Sequence, residues 1–152
     1  MEYGTGFSSI IIADALYKNK KDYEEYIKIN SSTNKIIRCN NKFELHCVDS
    51  EKSWFDEFNK KIINIKHNSN IKDIIHPHFS EVEIGTFNDR ICHFYKNNPD
   101  IVPDFIYLDG PSTHSVNGNI NNISFQCLDR TIIAGDLLRM EPTFIPGLLI
   151  LI

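Results

Sequence analysis

Short apolar runs alternate with longer amphipathic stretches along this chain. Residues 43–48 have the composition and length of a strand, and residues 105–108 and 148–152 are apolar runs of strand length. Residues 8–18 and 52–66 instead repeat apolar side chains near the spacing of a helix turn. Strands and helices that alternate in this way build a parallel sheet, because each return to the same edge needs a crossover element. We therefore predict an α/β fold with a doubly wound, mostly parallel sheet and helices on both of its faces.

The segments between these elements have weaker patterns. Residues 19–42 are polar and include a turn-forming run, so we predict a surface insertion that contains a short helix near residues 23–29. The other predicted elements are a strand end at 78–82, a helix at 89–97 that carries Cys92 and His93, a loop at 112–124 and a helix at 129–140. Trp54, Phe55 and Phe58 repeat at helical spacing and are predicted to face the core.

The length of 152 residues fits a single domain. In the predicted fold the first strand lies in the middle of the sheet, between the second strand and the strand at 104–109. Residues 1–3 alone are left to form this first strand, and the chain stops within the apolar run at 148–152. We therefore expect one domain that spans residues 1–152 and is incomplete at both ends.

Composition and charge argue against several classes of function. The net charge is −4 and the lysines are interleaved with acids, which gives no general attraction for nucleic acid. No apolar run is long enough to cross a bilayer and the amino end lacks a signal-peptide pattern, so we expect a cytoplasmic protein without a membrane partner. The cysteines contain no Cys-x-x-Cys pair and are predicted to be reduced thiols: Cys39, Cys47, Cys92 and Cys127.

Residues 2–6, with the sequence Glu-Tyr-Gly-Thr-Gly, stand where the first strand should turn into the first helix. Glycines accept positive φ angles and leave main-chain N–H groups uncovered, so such a turn brings the backbone close to a ligand. Ser8 and Ser9 follow as candidate caps of the helix, since a side-chain oxygen can accept from its unpaired N–H groups. The motif indicates a nucleotide-type cofactor, although small loops and hairpins use the same pair of glycines.

Carboxylates stand at the points where the predicted strands end. They are Glu2 before the glycine turn, Asp49, Glu81 and Asp109. Ligands of open parallel sheets bind beyond the carboxyl ends of the strands, so we expect these side chains along one rim. There Asp49 would accept from a ribose diol and Glu81 from an exocyclic amine, while Asp109 would orient a cationic group or bind a metal. The alternative is that each carboxylate only caps a helix.

Together these motifs resemble those of class I S-adenosylmethionine-dependent methyltransferases. The segments 2–6, 48–49, 80–82 and 104–110 resemble, in the same order, the family's glycine-rich, ribose-binding, adenine-side and fourth-strand motifs. The match covers nearly the whole chain and is closest to enzymes that act on small molecules or in polysaccharide biosynthesis. The resemblance implies a Rossmann-like core, S-adenosylmethionine as cofactor, and methyl transfer to an oxygen or nitrogen of a small-molecule or sugar acceptor.

The resemblance also implies a set of site residues. The implied cofactor contacts come from Glu2, Gly4, Gly6, Ser8, Asp49, Ser50, Glu81, Val82 and Asp109. The implied catalytic residues are Asp109 and His114, the latter as the base for the acceptor's proton. Such enzymes sometimes hold a divalent metal at the position of Asp109 and at a carboxylate after the next strand. This chain stops before that second position, so no metal ligand is assigned.

Other patterns allow other interpretations. His76 and His78 are two residues apart, as ligands on one face of a strand would be, but no third ligand is evident from the sequence and a structural role is favoured. A nicotinamide-dependent oxidoreductase would need a third glycine where Ser9 stands and an acid about twenty residues further on, well before Asp49. A non-catalytic remnant or binding module of the methyltransferase fold is the remaining alternative, because so little of the first strand is present.

Overall fold

The structure is a computed structural model that describes residues 1–30, 42–65, 69–126 and 133–152. Within these ranges the strands are β1 (Glu2–Tyr3), β2 (Leu45–Asp49), β3 (Ile75–Phe79), β4 (Val82–Phe87), β5 (Arg90–Tyr95), β6 (Phe105–Leu108), β7 (Val116–Asn117) and β8 (Leu149–Leu151). The helices are α1 (Phe7–Ile29), α2 (Lys52–Ile63) and α3 (Gly135–Met140).

Five strands form a parallel sheet with β1 at its centre. The order is β3-β2-β1-β6-β8, and every neighbouring pair is parallel. The ladder extends past the two residues of β1, because Tyr107 N donates to Met1 O at 3.0 Å and Gly4 N donates to Val48 O at 2.8 Å. The predictions of an α/β fold with a mostly parallel sheet, and of a first strand between β2 and β6, are confirmed.

Alternation of side chains along the strands gives the sheet two buried faces. On one face, Leu45 packs with Ala13 of α1 and Phe58 of α2. On the other face, Tyr3 and Val48 pack against α3 and a second, three-stranded sheet with the order β5-β4-β7. Burial of a side chain of this size stabilises a fold by about 1.5–3 kcal/mol. Of the two residues of β1, Tyr3 belongs to this second cluster, and its burial helps to hold the short strand in place.

The helix predicted at 89–97 is wrong, because this segment contains the whole of strand β5. β4 and β5 are antiparallel neighbours, and Phe87 lies opposite Arg90 at the end of the hairpin. The two residues between them, Asn88 and Asp89, have φ angles of 47° and 63°. Positive φ at both positions is the conformation of a type I′ turn, whose twist matches that of the strands it joins. This hairpin occupies the place where we predicted a crossover helix.

α1 and α3 also differ from the prediction in their bounds. α1 continues through the polar stretch beyond residue 18, where we predicted its end, up to Ile29. Its charged side chains lie in solvent, as in the ion pair of Lys18 with Asp14 at 2.6 Å. The helix predicted at 129–140 begins only at Gly135. The calls for 31–41 and 129–132, and those for Cys39 and Cys127, lie outside the described residues.

The environments of several side chains also differ from expectation. Cys92 and His93 are buried on β5 and not on a helix. Trp54 is 49% exposed, whereas we predicted it in the core. β8 forms as a strand, but Leu149 and Leu151 are exposed and not buried. Among the described residues, no helix is both long enough and apolar enough to span a bilayer.

Asp136 is a carboxyl group buried at the start of α3. It is 5% exposed, and its Oδ2 accepts from the N–H of Tyr95 at 3.0 Å. Burial raises the pKa of this carboxyl to about 6, while the hydrogen bond from Tyr95 and the charge of Arg139 act in the opposite direction. The folded protein therefore keeps a proton on Asp136 at pH values where the unfolded chain has already lost it.

We expect Asp136→Asn to stabilise the protein, relative to the wild type, more at about pH 8 than at about pH 4. The stability that the wild type owes to its Asp136 proton is present below about pH 4 and is lost as the pH rises to about 6, by on the order of 2–3 kcal/mol. Asparagine keeps the acceptor for Tyr95 and has no proton to lose. Thermal unfolding across this pH range measures the effect, with Asp73→Asn at an exposed position as control. A difference in melting temperature that does not vary with pH would contradict it.

Candidate functional site

The chain turns sharply between β1 and α1, and the two glycines of this turn have different surroundings. Gly4 has a φ of +95°, and a Cβ on it would lie 2.7 Å from the carbonyl oxygen of Asp109. Gly6 precedes the first residue of α1 and has extended backbone, and a Cβ on it would meet no atom within 4 Å. Gly4 thus lets the turn pack against the end of β6, while Gly6 leaves open space at the amino end of the helix.

Asp49 at the end of β2 binds the turn from the side. One of its oxygens, Oδ2, accepts from the main-chain N–H of Thr5 at 2.8 Å and from the Thr5 hydroxyl. Its other oxygen accepts from the N–H of Glu51 at 2.9 Å. A carboxylate accepts about four hydrogen bonds, so the protein itself takes most of the capacity of Asp49. The ribose contact stays a prediction, and the structure adds a second role in which Asp49 shapes the turn.

Thr5 and Trp54 belong to this site although sequence reasoning did not select them. The indole N–H of Trp54, in the first turn of α2, donates to the carbonyl oxygen of Thr5. Together with Asp49, this contact holds Thr5 through its N–H, its hydroxyl and its C=O. The available signal was the position of Thr5 between the two glycines, since a threonine there offers a hydroxyl in addition to the backbone.

The carboxyl group of Glu2 accepts hydrogen bonds from two neighbouring side chains. The Ser8 hydroxyl donates to Glu2 Oε1 at 2.6 Å, and the thiol of Cys47 donates to Oε2 at 3.2 Å. Glu2 is fully buried, and burial raises the pKa of its carboxyl above the usual range. Ser9 lies in the first turn of α1 and accepts at 3.0 Å from the N–H of Gly6, the residue before the helix, and not from the N–H groups of the first turn as predicted. Both oxygens of Glu2 thus accept hydrogen bonds from the protein itself. The cofactor contacts of Glu2 and Ser8 stay predictions.

The end of β6 meets the same edge of the sheet. The N–H of Asp109 donates to the carbonyl oxygen of Tyr3 at 2.9 Å, and the Asp109 side chain is exposed. The loop after it contains His114, which is also exposed, and Ser115. The Ser50 hydroxyl donates to Ser115 Oγ at 3.0 Å, so the loop after β6 contacts the end of β2. The ends of β1, β2 and β6 therefore converge.

The side chains of Glu81 and Val82 lie in different environments. Glu81 forms an ion pair with Lys96 at 2.9 Å on the surface, and Val82 is fully buried in the core. The neighbouring residue Ser80 reaches the rim instead, since its N–H donates to the carbonyl oxygen of Asp49 at 2.9 Å. The adenine-side contacts of Glu81 and Val82 stay predictions.

Comparison of the chain with known proteins finds no relative. No protein-family model, no curated protein sequence and no solved structure matches the chain.

The two glycines of the turn should respond differently to the addition of a methyl group. We expect Gly4→Ala to destabilise the fold by about 2 kcal/mol or more, because alanine is strained at its φ and its Cβ would strike the Asp109 carbonyl. Gly6→Ala should stay within about 1 kcal/mol of the wild type, because its backbone is extended and its surroundings are open. Urea unfolding of both variants measures the difference. Equal losses in the two variants would contradict this account of the turn.

Proposed function

We propose that this chain binds S-adenosylmethionine at the rim formed by the ends of β1, β2 and β6 and transfers its methyl group to a small-molecule or sugar acceptor. The observation that carries the proposal is the position of the turn between β1 and α1. It lies at the centre of the sheet and touches Asp49 on one side and Asp109 on the other. Ligands of open parallel sheets bind at this edge, which supports a Rossmann-like methyltransferase core.

The open space at Gly6 fits a ligand that approaches the amino end of α1. The first N–H groups of a helix lack partners within the helix and carry partial positive charge, so they suit a carboxylate such as that of the cofactor's amino-acid part. Asp109 follows β6 on the same rim, and its exposed side chain would offer negative charge to a sulfonium. The rim would thus offer N–H donors to the cofactor's carboxylate and a carboxylate to its positively charged sulfonium.

The protein's own contribution to the reaction would be alignment and proton removal. When bound, S-adenosylmethionine supplies an electrophilic methyl group. The rim holds the acceptor in line with the bond that breaks, and such alignment supplies much of the rate enhancement in a displacement reaction. His114, exposed in the loop after Asp109, would accept the proton of the acceptor's hydroxyl or amine as the new bond to the methyl carbon forms.

Titration calorimetry with S-adenosylhomocysteine tests the proposal. We expect the wild type to bind it and to bind no nicotinamide dinucleotide, which separates this function from that of an oxidoreductase. Gly6→Ala should weaken binding at least tenfold, because its methyl group would occupy the space of the ligand, and overpacking of this kind costs on the order of 1–3 kcal/mol. The control is Thr86→Ala, an exposed position in β4.

Gly6→Ala is the sharper variant here because Asp49→Ala would also release Thr5 and disturb the turn. A wild type that does not bind S-adenosylhomocysteine contradicts the proposal. A Gly6→Ala variant that binds as tightly as the wild type contradicts the position of the site. A chain that binds the ligand but methylates no acceptor would be the binding module named as the alternative.

A further inference from the structure

Four side chains of types that can bind metals lie close together at the paired strands β2 and β3. The register places His46 opposite His76 and Val48 opposite His78. Because side chains alternate between faces with a period of two, these histidines share the face of the sheet that carries Val48. Glu44 precedes His46 by two residues and lies on the same side. The neighbouring strand β2 therefore places His46 beside these two histidines, with Glu44 next to it.

The distances within this cluster are short. His46 Nε2 lies 3.2 Å from Glu44 Oε2, and one ligand atom from each of Glu44, His46 and His76 lies within 4.8 Å of the other two. The rings of His46 and His76 stack with centroids 4.9 Å apart. His76 Nε2 is buried and has no hydrogen-bond partner. A buried nitrogen without a partner is costly, and such groups commonly have an ion or a water as their missing partner.

We propose that Glu44, His46 and His76 bind a divalent transition-metal ion of the zinc type. Two imidazole nitrogens and one carboxylate oxygen are a donor set that zinc accepts, and it leaves a fourth position for water or a ligand. Ligand atoms of a tetrahedral zinc site are about 3.3 Å apart, as follows from bonds of about 2.0–2.1 Å. The contact of Glu44 with His46 already has this spacing, and the His76 ligand atom, within 4.8 Å of the other two, would move closer on binding.

His78 supports the site without binding the ion. Its Nε2 lies 3.0 Å from Nδ1 of His46, and the two rings stack with centroids 5.2 Å apart. When Nε2 of His46 binds a metal, its remaining proton sits on Nδ1 and can be donated to His78. Partners of this kind fix the tautomer and the orientation of a metal-binding histidine. We infer that His78 is a positioning residue for His46.

This site is independent of the proposed cofactor site. The cofactor rim is built at the carboxyl ends of the strands, whereas Glu44 lies before the first residue of β2 and His76 is the second residue of β3. Loss of one site therefore does not predict loss of the other. The competing explanation is that the imidazoles and the carboxylate only pack and hydrogen-bond with one another, in which case no ion would bind.

The test is calorimetric titration of zinc chloride into the untagged, metal-free protein near neutral pH. We expect one ion per chain with a dissociation constant in the micromolar range or tighter, and a melting temperature that rises with zinc concentration. Cobalt(II) as a second probe should give visible absorption of the intensity typical of four- or five-coordinate sites. A wild type that binds neither ion overturns the proposal.

Single variants assign the ligands. Glu44→Gln, His46→Gln and His76→Gln should each weaken zinc binding at least tenfold, whereas Glu25→Gln, at an exposed position of α1, should leave the affinity unchanged. Of the three variants, Glu44→Gln should disturb the fold least, because Glu44 is only partly buried. If the histidine variants do not fold, the zinc affinity of Glu44→Gln decides whether the site is assigned correctly. Zinc affinity equal to that of the wild type in Glu44→Gln overturns the site as assigned.

Two variants of His78 test its positioning role. Glutamine keeps a polar group near the place of Nε2, whereas phenylalanine keeps the stacked ring without a hydrogen-bonding atom. We expect His78→Gln to retain zinc affinity within a few fold and His78→Phe to lose about tenfold. The opposite order, or equal affinities in both variants, would assign His78 to packing alone and overturn this part of the proposal.

Discussion

The rim depends on the hydrogen bonds that the carboxylate of Asp49 accepts. It accepts two hydrogen bonds from Thr5 and one from Glu51, and so joins the turn after β1 to the end of β2. Hydrogen bonds to an ionised acceptor are about twice as strong as those between neutral groups. The turn is also held by Trp54, which donates to the Thr5 carbonyl, and by Ser9, which accepts from the N–H of Gly6. A central strand this short keeps its position through its buried faces and through this carboxylate.

Strong, short-range patterns made much of the fold predictable from the sequence. β6 and β8 are apolar runs of strand length, and α2 repeats its apolar side chains at helical spacing, so each was recognised. The hairpin of β4 and β5 was missed because Ile91, Phe94 and Tyr95 happen to recur at helical spacing. The stronger local signal was Asn88-Asp89, two residues that tolerate positive φ.

The candidate site was predictable in its location but not in its bonds. Strand ends bring their residues to one edge of a parallel sheet, and sequence order alone placed Asp49 and Asp109 there. Which partner each side chain takes depends on neighbours from other strands and on its rotamer. Asp49 turns toward Thr5, and Glu81 pairs with Lys96 across the start of the hairpin. The partners of His46 were hidden for the same reason, because β3 follows β2 only after a helix.

We propose that the turn at Thr5, held by Asp49, faces a ligand site for an adenosyl group. Amide chemical shifts of isotopically labelled protein during titration with S-adenosylhomocysteine test it most directly, because they report position as well as binding. The account predicts that the largest changes cluster at residues 4–7, 49–51 and 109–110. Changes concentrated at the opposite ends of the strands, around residues 44–46 and 104–105, or no changes at saturating ligand, would contradict it.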